Sequence, residues 1–327
     1  MKQPILESLA LYLTGSDGPD LKTTRIILPN RRAGMFLQRH LARYSQQVQW
    51  APHIYSINDY VSNTSILDLS DQVEALLFLY EAYVKLAENP EPIDEFYFWG
   101  EIMLRDFDEI DKYLVDADML FKNIIDLKEL EEPLAGLEPS QIEFIRQFWT
   151  SFHEGDQSPE KDHFIGIWEL LPQLYKQLKR NLIARNEGLQ GMQYRDIAHR
   201  IDTGEISNSW EGQTIIAGFN ALNSCEIRIF SWLEKQGAKF FWDYDHQYIN
   251  DPVNEAGRFL RSNLKRFPDR VKLEEIKGLS KEKEIRIFEL PSDVLQAKRF
   301  IEFWKRLIPG LPVNAQIPPW YCAMRSY

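Results

Sequence analysis

The hydrophobic and polar positions of the chain follow three successive patterns. Lys22 to Asn30 reads KTTRIILPN, a β-branched apolar run stopped by Pro29, which predicts a buried strand entering a loop. In Arg31 to Tyr44 the apolar positions Met35, Phe36, Leu41 and Ala42 recur near the helical period, and Arg31, Arg32, Arg39, His40 and Arg43 form a basic complement. His53 to Ile57 predicts a second short strand, and Asn58 or Asp59 the start of a further helix.

From about residue 70 to 201 the pattern is amphipathic and helical. Asp71 to Ala87, Ile93 to Tyr113, Glu138 to Phe152 and His163 to Ala184 are separated by short Pro, Gly and Asp breaks. Ser140 with Glu143 has the spacing of a capping box.

Alternation returns after Gly212. Thr214 to Phe219 (TIIAGF) predicts a strand, and Asn223 or Ser224 caps a helix running to Gln236. Gly237 ends that helix, and Ala238 to Trp242 predicts the next strand, completing a βαβ unit. A basic helix over Asn254 to Phe267, a Lys/Glu-rich linker, a strand over Glu284 to Leu290 and a helix over Asp293 to Leu307 follow. The simplest assembly is an α/β fold. Strands on both sides of the helical block share one parallel sheet, and the block is an insertion. The expected divisions are residues 1–69 and 206–275 for the two parts of the α/β domain, 70–205 for the insertion, and 276–327 for a linker and the start of a further domain.

Composition changes this picture little. The 327 residues suggest about two domains. A hydrophobic share of 44% and a charged share of 27% exclude disordered and low-complexity classes. Two cysteines, Cys225 and Cys322, exclude a disulfide framework and fit a reducing compartment, so the cytoplasm is expected. No apolar run has the length of a membrane span, and the apolar start from Ile5 to Leu13 carries Glu7, so neither membrane insertion nor secretion is expected. The net charge of −11 repels polyanions, and any nucleic-acid contact must be local.

Most candidate chemistry fails on residue type or spacing. TGSDGPD (Thr14 to Asp20) has two glycines but no following Lys-Ser/Thr, so it reads as a turn rather than a phosphate cradle. The strand TIIAGF ends in Gly218, where an NTPase of this topology places a magnesium-binding acid. Asp269, Glu275 and Lys277 imitate a nuclease signature, but five residues between the two acids leave no room for the hairpin it needs. Asp108 and Asp111 lie one helical turn apart and suit a shared cation, although they read more simply as the solvated complement of the stripe Leu104, Phe107, Ile110 and Leu114. Asp243 and Asp245, beside His246 at the end of a parallel strand, suit a divalent cation; the plainer alternative is a turn that caps the next segment. No cofactor is expected.

Two basic groups remain. Asn30, Arg31, Arg32, Arg39 and Arg43 begin at a strand-to-helix turn, where main-chain N–H groups and guanidinium forks suit a phosphate backbone. Arg258, Arg261, Lys265 and Arg266, with Arg270, form a second group that also reads as an ordinary solvated helix face.

The order of segments ILPNRRAGMFLQRHLA, IYSINDYV, FYFWGEIMLRDFDEIDKYLVDADMLFKNIIDLKEL, IWELLPQLYKQL, GMQYRDIA and IIAGFNALNSCEIRIFSWLEKQGAKFFWDYD resembles the N-terminal part of large bacterial AddB-like proteins of the PD-(D/E)XK nuclease superfamily. The resemblance covers nearly the whole chain. It implies a degenerate RecA-like, P-loop-NTPase-like domain from an inactivated helicase region that precedes a C-terminal nuclease and acts in double-strand-break repair and recombination. It further implies that Ile26 to Arg32 is the strand and loop touching single-stranded DNA, and that Ile215 to Asn220 is the strand which carries the Walker B acid in active relatives. A partner subunit with an active helicase motor, single-stranded or duplex-end DNA, and a nuclease region missing from these residues are the partners implied. The runner-up reading is a divalent-metal-dependent enzyme using Asp243 and Asp245. The tail IPPWYCAMRSY departs from the family pattern, in which the first strand of a following helicase-like domain is expected; it fits a frameshifted or truncated gene product.

Overall fold

The computed structural model describes residues 5–16, 18–45, 48–126, 159–207 and 209–268, together with Ser292 and Leu295. Its strands, among these residues, are Arg25–Leu28 (β1), His53–Ser56 (β2), Asp68–Leu69 (β3), Glu187–Gly188 (β4), Thr214–Ala217 (β5) and Lys239–Phe241 (β6). All residues of β1 and β5 are buried, as expected for central strands covered on both faces. They pair in parallel with Ile26 opposite Ile215, and β2 and β6 flank them, giving a four-stranded parallel sheet in the order β2-β1-β5-β6. Strands from both sides of the helical block thus share one sheet.

Side-chain alternation sorts the sheet into two cores. Ile26, Leu28, Ile215, Ala217 and Phe241 face the helices Ile5–Thr14 (α1) and Arg31–Tyr44 (α2). Ile27, Ile216 and Phe240 face the opposite layer. That layer contains Ile57–Thr64 (α3), Gln190–Asp202 (α8) and Ser224–Lys235 (α9). Within it Phe230, Phe240 and Phe267 pack ring to ring, and the Trp242 indole N–H donates to the Phe267 carbonyl at 2.9 Å.

Between β3 and β4 in sequence lie Gln72–Leu86 (α4), Ile93–Lys112 (α5), Ala117–Asp126 (α6) and Pro159–Ile183 (α7). They have a core of their own, including Leu79, Tyr83, Phe96, Phe107, Leu174 and Leu178. The short pair β3 and β4 closes this block in parallel. α8 joins the block to the sheet layer: Met192 belongs to the helical core, and Tyr194, Ile197 and Ala198 belong to the core against the sheet. The remaining α-helices among the described residues are His246–Asn250 (α10) and Arg258–Arg266 (α11). Residues Met1–Leu279 make one unit and Ser280–Tyr327 another; in the second, Ser292 Oγ accepts from the Leu295 N–H at 3.3 Å. No helix among the described residues is long and apolar enough to cross a membrane.

Several local expectations are revised. α2 buries Gly34, Leu37 and Leu41, whereas Met35 is 68% and Phe36 40% exposed. At 100° per residue Leu37 and Leu41 share a face, and Met35 points almost directly away from it. The N-cap of α3 is Ser56, not Asn58 or Asp59. Its hydroxyl accepts from the Asp59 N–H at 3.1 Å and the Asp59 carboxylate accepts from the Ser56 N–H, a reciprocal box. α7 starts at Pro159, ahead of the expected His163, with proline in the first-turn position it tolerates. Asp111 is not solvated. It is 1% exposed and paired with cations from two other helices. The expected helix over Glu138 to Phe152 with its Ser140 cap, the strand over Glu284 to Leu290, Arg270, the Asp269/Glu275/Lys277 segment and the tail lie outside the described residues.

Candidate nucleic-acid interface

In the order β2-β1-β5-β6, β1 connects outward to β2 on one side and β5 to β6 on the other. The reversal falls between β1 and β5. Open parallel sheets take ligands in the crevice beyond the carboxyl ends of the strands at such a point. Here that crevice is bounded by Pro29 to Arg32 after β1, by Gly218 to Asn220 after β5, and by the start of α3 after β2.

Asn30 caps α2, its side-chain oxygen accepting from the Ala33 N–H at 2.9 Å. The free first-turn N–H groups and the positive end of the helix dipole therefore open at the crevice. Arg31 reaches across to Asp59 on α3. Its Nε donates to both carboxylate oxygens at 3.0 and 3.1 Å, although the arginine side chain itself is 82% exposed. The Arg31 hydrogen bonds, assisted by the Ser56 hydroxyl and N–H, hold the Asp59 carboxyl at about 2, below the usual carboxylate range. Arg31 thus has an internal carboxylate partner, and Arg32 is the exposed guanidinium at this turn without a carboxylate partner among the described residues.

On the β5 side, Gly218 takes a left-handed conformation, φ +79°, and donates its N–H to the Phe241 carbonyl at 3.2 Å. Phe219 turns into the core, and the Asn220 carbonyl accepts from Asn263 Nδ2 at 2.5 Å. The segment after β5 is therefore fixed by one main-chain bond and by the Asn263 side-chain amide, with no carboxylate on Gly218, Phe219 or Asn220.

Arg39 and Arg43 continue the basic group along the exposed face of α2. The second group is not a uniform face. Arg258, Lys265 and Arg266 are exposed, but Arg261 folds onto the preceding loop and donates to the carbonyls of Tyr248, Asp251, Pro252 and Asn254 at 2.7–3.2 Å. Its work is to hold that loop.

Asp243 and Asp245 diverge: Asp243 is exposed, and Asp245 is buried. Asp245 caps α10, its carboxylate accepting from the Gln247 N–H at 3.0 Å. Among the described residues no three His, Cys, Asp or Glu side chains are grouped so as to hold a metal ion. TGSDGPD ends in another cap, with Asp20 accepting from the Lys22 N–H at 3.0 Å at the head of a 3-10 turn over Leu21–Thr23. Cys225 is fully buried, and burial pushes its thiol up to about 12, which removes it as a nucleophile.

The pairing of Arg31 with Asp59 was the feature missed from sequence. The S-x-x-D spacing of Ser56 and Asp59 was its available signal, because it places the carboxylate at a helix start beside the strand-to-helix turn of the neighbouring parallel strand. No protein-family model matches the chain, and no curated protein matches it.

Proposed function

We propose that the chain is the non-catalytic, helicase-like N-terminal portion of an AddB-type DNA repair and recombination nuclease. In this reading it is a degenerate RecA-like domain with a helical insertion, and it serves as scaffold and DNA-handling module in cytoplasmic double-strand-break processing beside a helicase-nuclease partner subunit. The observation that carries the reading is the meeting, at the sheet's switch point, of a capped helix N-terminus, two guanidinium groups and a β5 end that bears glycine and asparagine in place of an acid. Such a crevice suits a phosphate backbone. The order of the sequence segments quoted above supports the same assignment.

Binding of labelled oligothymidylate to the full chain, followed by fluorescence anisotropy over a salt series, tests the proposal. Each backbone contact contributes about 0.7 to the slope of log affinity against log salt on a single strand. Arg32→Ala is expected to lower the slope by about that amount. Arg31→Ala is expected to lower it less, because Asp59 already holds Arg31. Absence of binding at low salt would leave only the scaffold role, and metal-dependent turnover by the chain would overturn the assignment.

A further inference from the structure

Arg32, Phe36, Arg39 and Arg43 are spaced by four, three and four residues and form one stripe along α2. All four side chains are exposed, and Met35 stands exposed beside them. The guanidinium carbons of Arg32 and Arg39 lie 5.9 and 5.5 Å from the centre of the Phe36 ring, one on the preceding turn of the helix and one on the following turn. Arg43 sits 5.7 Å from the Tyr44 ring. α2 has no Asp or Glu, and among the described residues Arg32, Arg39 and Arg43 have no carboxylate partner.

This local excess of positive charge stands on a chain of net charge −11. Its complement is therefore an anion, and the exposed ring narrows the choice. An acidic polypeptide would engage the arginines and leave Phe36 without a role. An unpaired base has a π-face that stacks on a phenyl ring or on a guanidinium plane, while its flanking phosphates take the outward N–H groups. Arg32 to Arg43 spans about 16 Å of helix, a path long enough for a short run of nucleotides.

We propose that this stripe is a stacking path for single-stranded nucleic acid which leads from the turn at Asn30 along α2, with Phe36 taking a base and Arg39 and Arg43 taking phosphates. The proposal rests on the nucleic-acid reading of the crevice and extends the bound strand beyond it. The test uses the full chain, oligothymidylate, an abasic strand of equal length and poly-glutamate, with Phe36→Ala, Phe36→Trp and the double variant Arg39→Ala/Arg43→Ala. Phe36→Ala is expected to weaken oligothymidylate binding about tenfold, as loss of one stacked base does, with Phe36→Trp retaining it. The abasic strand should bind the wild type and Phe36→Ala alike. The double arginine variant should lower the salt slope by roughly 1.4, two contacts' worth. Thermal melts control for folding, and Phe36, 40% exposed, predicts only a small loss of stability in Phe36→Ala. If oligothymidylate binding falls in Arg32→Ala but is indifferent to Phe36→Ala and to the double variant, the stripe is overturned and the crevice reading survives. If the wild type binds no oligothymidylate, both fail. If poly-glutamate binds as tightly and is equally indifferent to Phe36→Ala, the surface is a dock for acidic protein and the proposal is wrong.

Discussion

Asp111 on α5 and Lys179 on α7 stand 68 positions apart in sequence and 2.9 Å apart in space. The same carboxylate oxygen accepts from the Tyr175 hydroxyl at 2.7 Å, and the Arg195 guanidinium of α8 lies 2.7 Å from it. Arg195 also donates to the carbonyls of Ile110 and Val115, both at 2.8 Å. One buried acid therefore ties α5 to α7 within the helical block and to α8, which packs on the sheet layer. Its burial and the carboxylate together push the Tyr175 hydroxyl well above the usual phenol range. Asp111→Ala would leave Lys179 and Arg195 close together with their shared counter-charge removed. Because Lys179 and Arg195 are 23% and 30% exposed, and Arg195 keeps its two carbonyls, the loss is about 1–3 kcal/mol, below that for a fully buried pair. The expected result is a urea midpoint lowered accordingly, with a smaller loss for Lys179→Ala, where Arg195 still answers the carboxylate; a wild-type midpoint in Asp111→Ala would contradict this role.

The Arg31–Asp59 pair predicts a particular acid limb. Arg31's hydrogen bonds lower the folded-state pKa of Asp59 to about 2, below the ordinary value of 3.8. A group lowered on folding contributes stability above its unfolded value, and that contribution is lost as pH falls through the folded value. The window is therefore between about pH 4 and pH 2. In Arg31→Ala the Asp59 titration, read by NMR, is expected to move up towards its ordinary value, and the loss of stability across that window to become shallower. An Asp59 midpoint unmoved by Arg31→Ala would show that Ser56 alone sets it.

Glu226 gives the opposite sign. Its carboxylate completes the box at the start of α9, accepting from the Asn223 N–H at 3.0 Å, and burial pushes it up to about 6. The folded state then holds a proton which the unfolded state has released between about pH 4.5 and 6. The associated stability is present below that window and lost as pH rises through 6. Glu226→Gln keeps an oxygen for the Asn223 N–H and removes the titration. Relative to the wild type, the variant is expected to gain stability steadily from pH 4.5 to above 6, measured as paired denaturation curves across that range.

What the sequence made legible follows from which interactions are local. The Pro29 stop, the Asn30 cap and the Asn223 and Gly237 boundaries of α9 are set by neighbouring residues, and the structure places β1, α2, β5, α9 and β6 at or within a few residues of the expected limits. The parallel sheet was legible for the same reason: buried strands read as unbroken apolar runs. Burial of polar groups was not. Asp111 and Asp108 share a helix face in sequence, yet one is sealed by Tyr175, Lys179 and Arg195 from distant segments, and the other pairs with Lys112 at 2.6 Å on its own helix. Arg25 is likewise a charged residue inside a central strand, enclosed by the Tyr60 and Trp210 rings at 5.4 Å with its Nε on Thr214 Oγ1 at 2.7 Å. At the candidate site, sequence supplied the arginines of α2 but not the partner of Arg31 or the outward turn of Phe36, because both depend on which face of the helix the sheet and α1 cover.

Two glycines separate backbone conformation from close approach. Gly218 at the end of β5 has φ +79°, but a Cβ there would meet only Pro29 side-chain atoms at 3.7 and 3.9 Å, an ordinary contact. Gly218→Ala should therefore cost only the left-handed conformation, about 1–2 kcal/mol. Gly191, in the first turn of α8, donates its N–H to the Asp108 carboxylate, and a Cβ would stand 2.1 Å from the Asp108 carbonyl oxygen. That oxygen belongs to the backbone of α5, so relief requires α8 to move away, carrying Arg195 off Asp111. Overpacking of this kind costs about 1–3 kcal/mol and occasionally more, and here the displaced ion pair adds to it. Gly191→Ala is expected to lose more stability than Gly218→Ala by urea denaturation. Because Gly191→Ala and Asp111→Ala damage the same α5–α8 contact, their double variant should lose less than the sum of the singles, whereas Gly218→Ala with Asp111→Ala, at separate sites, should be additive.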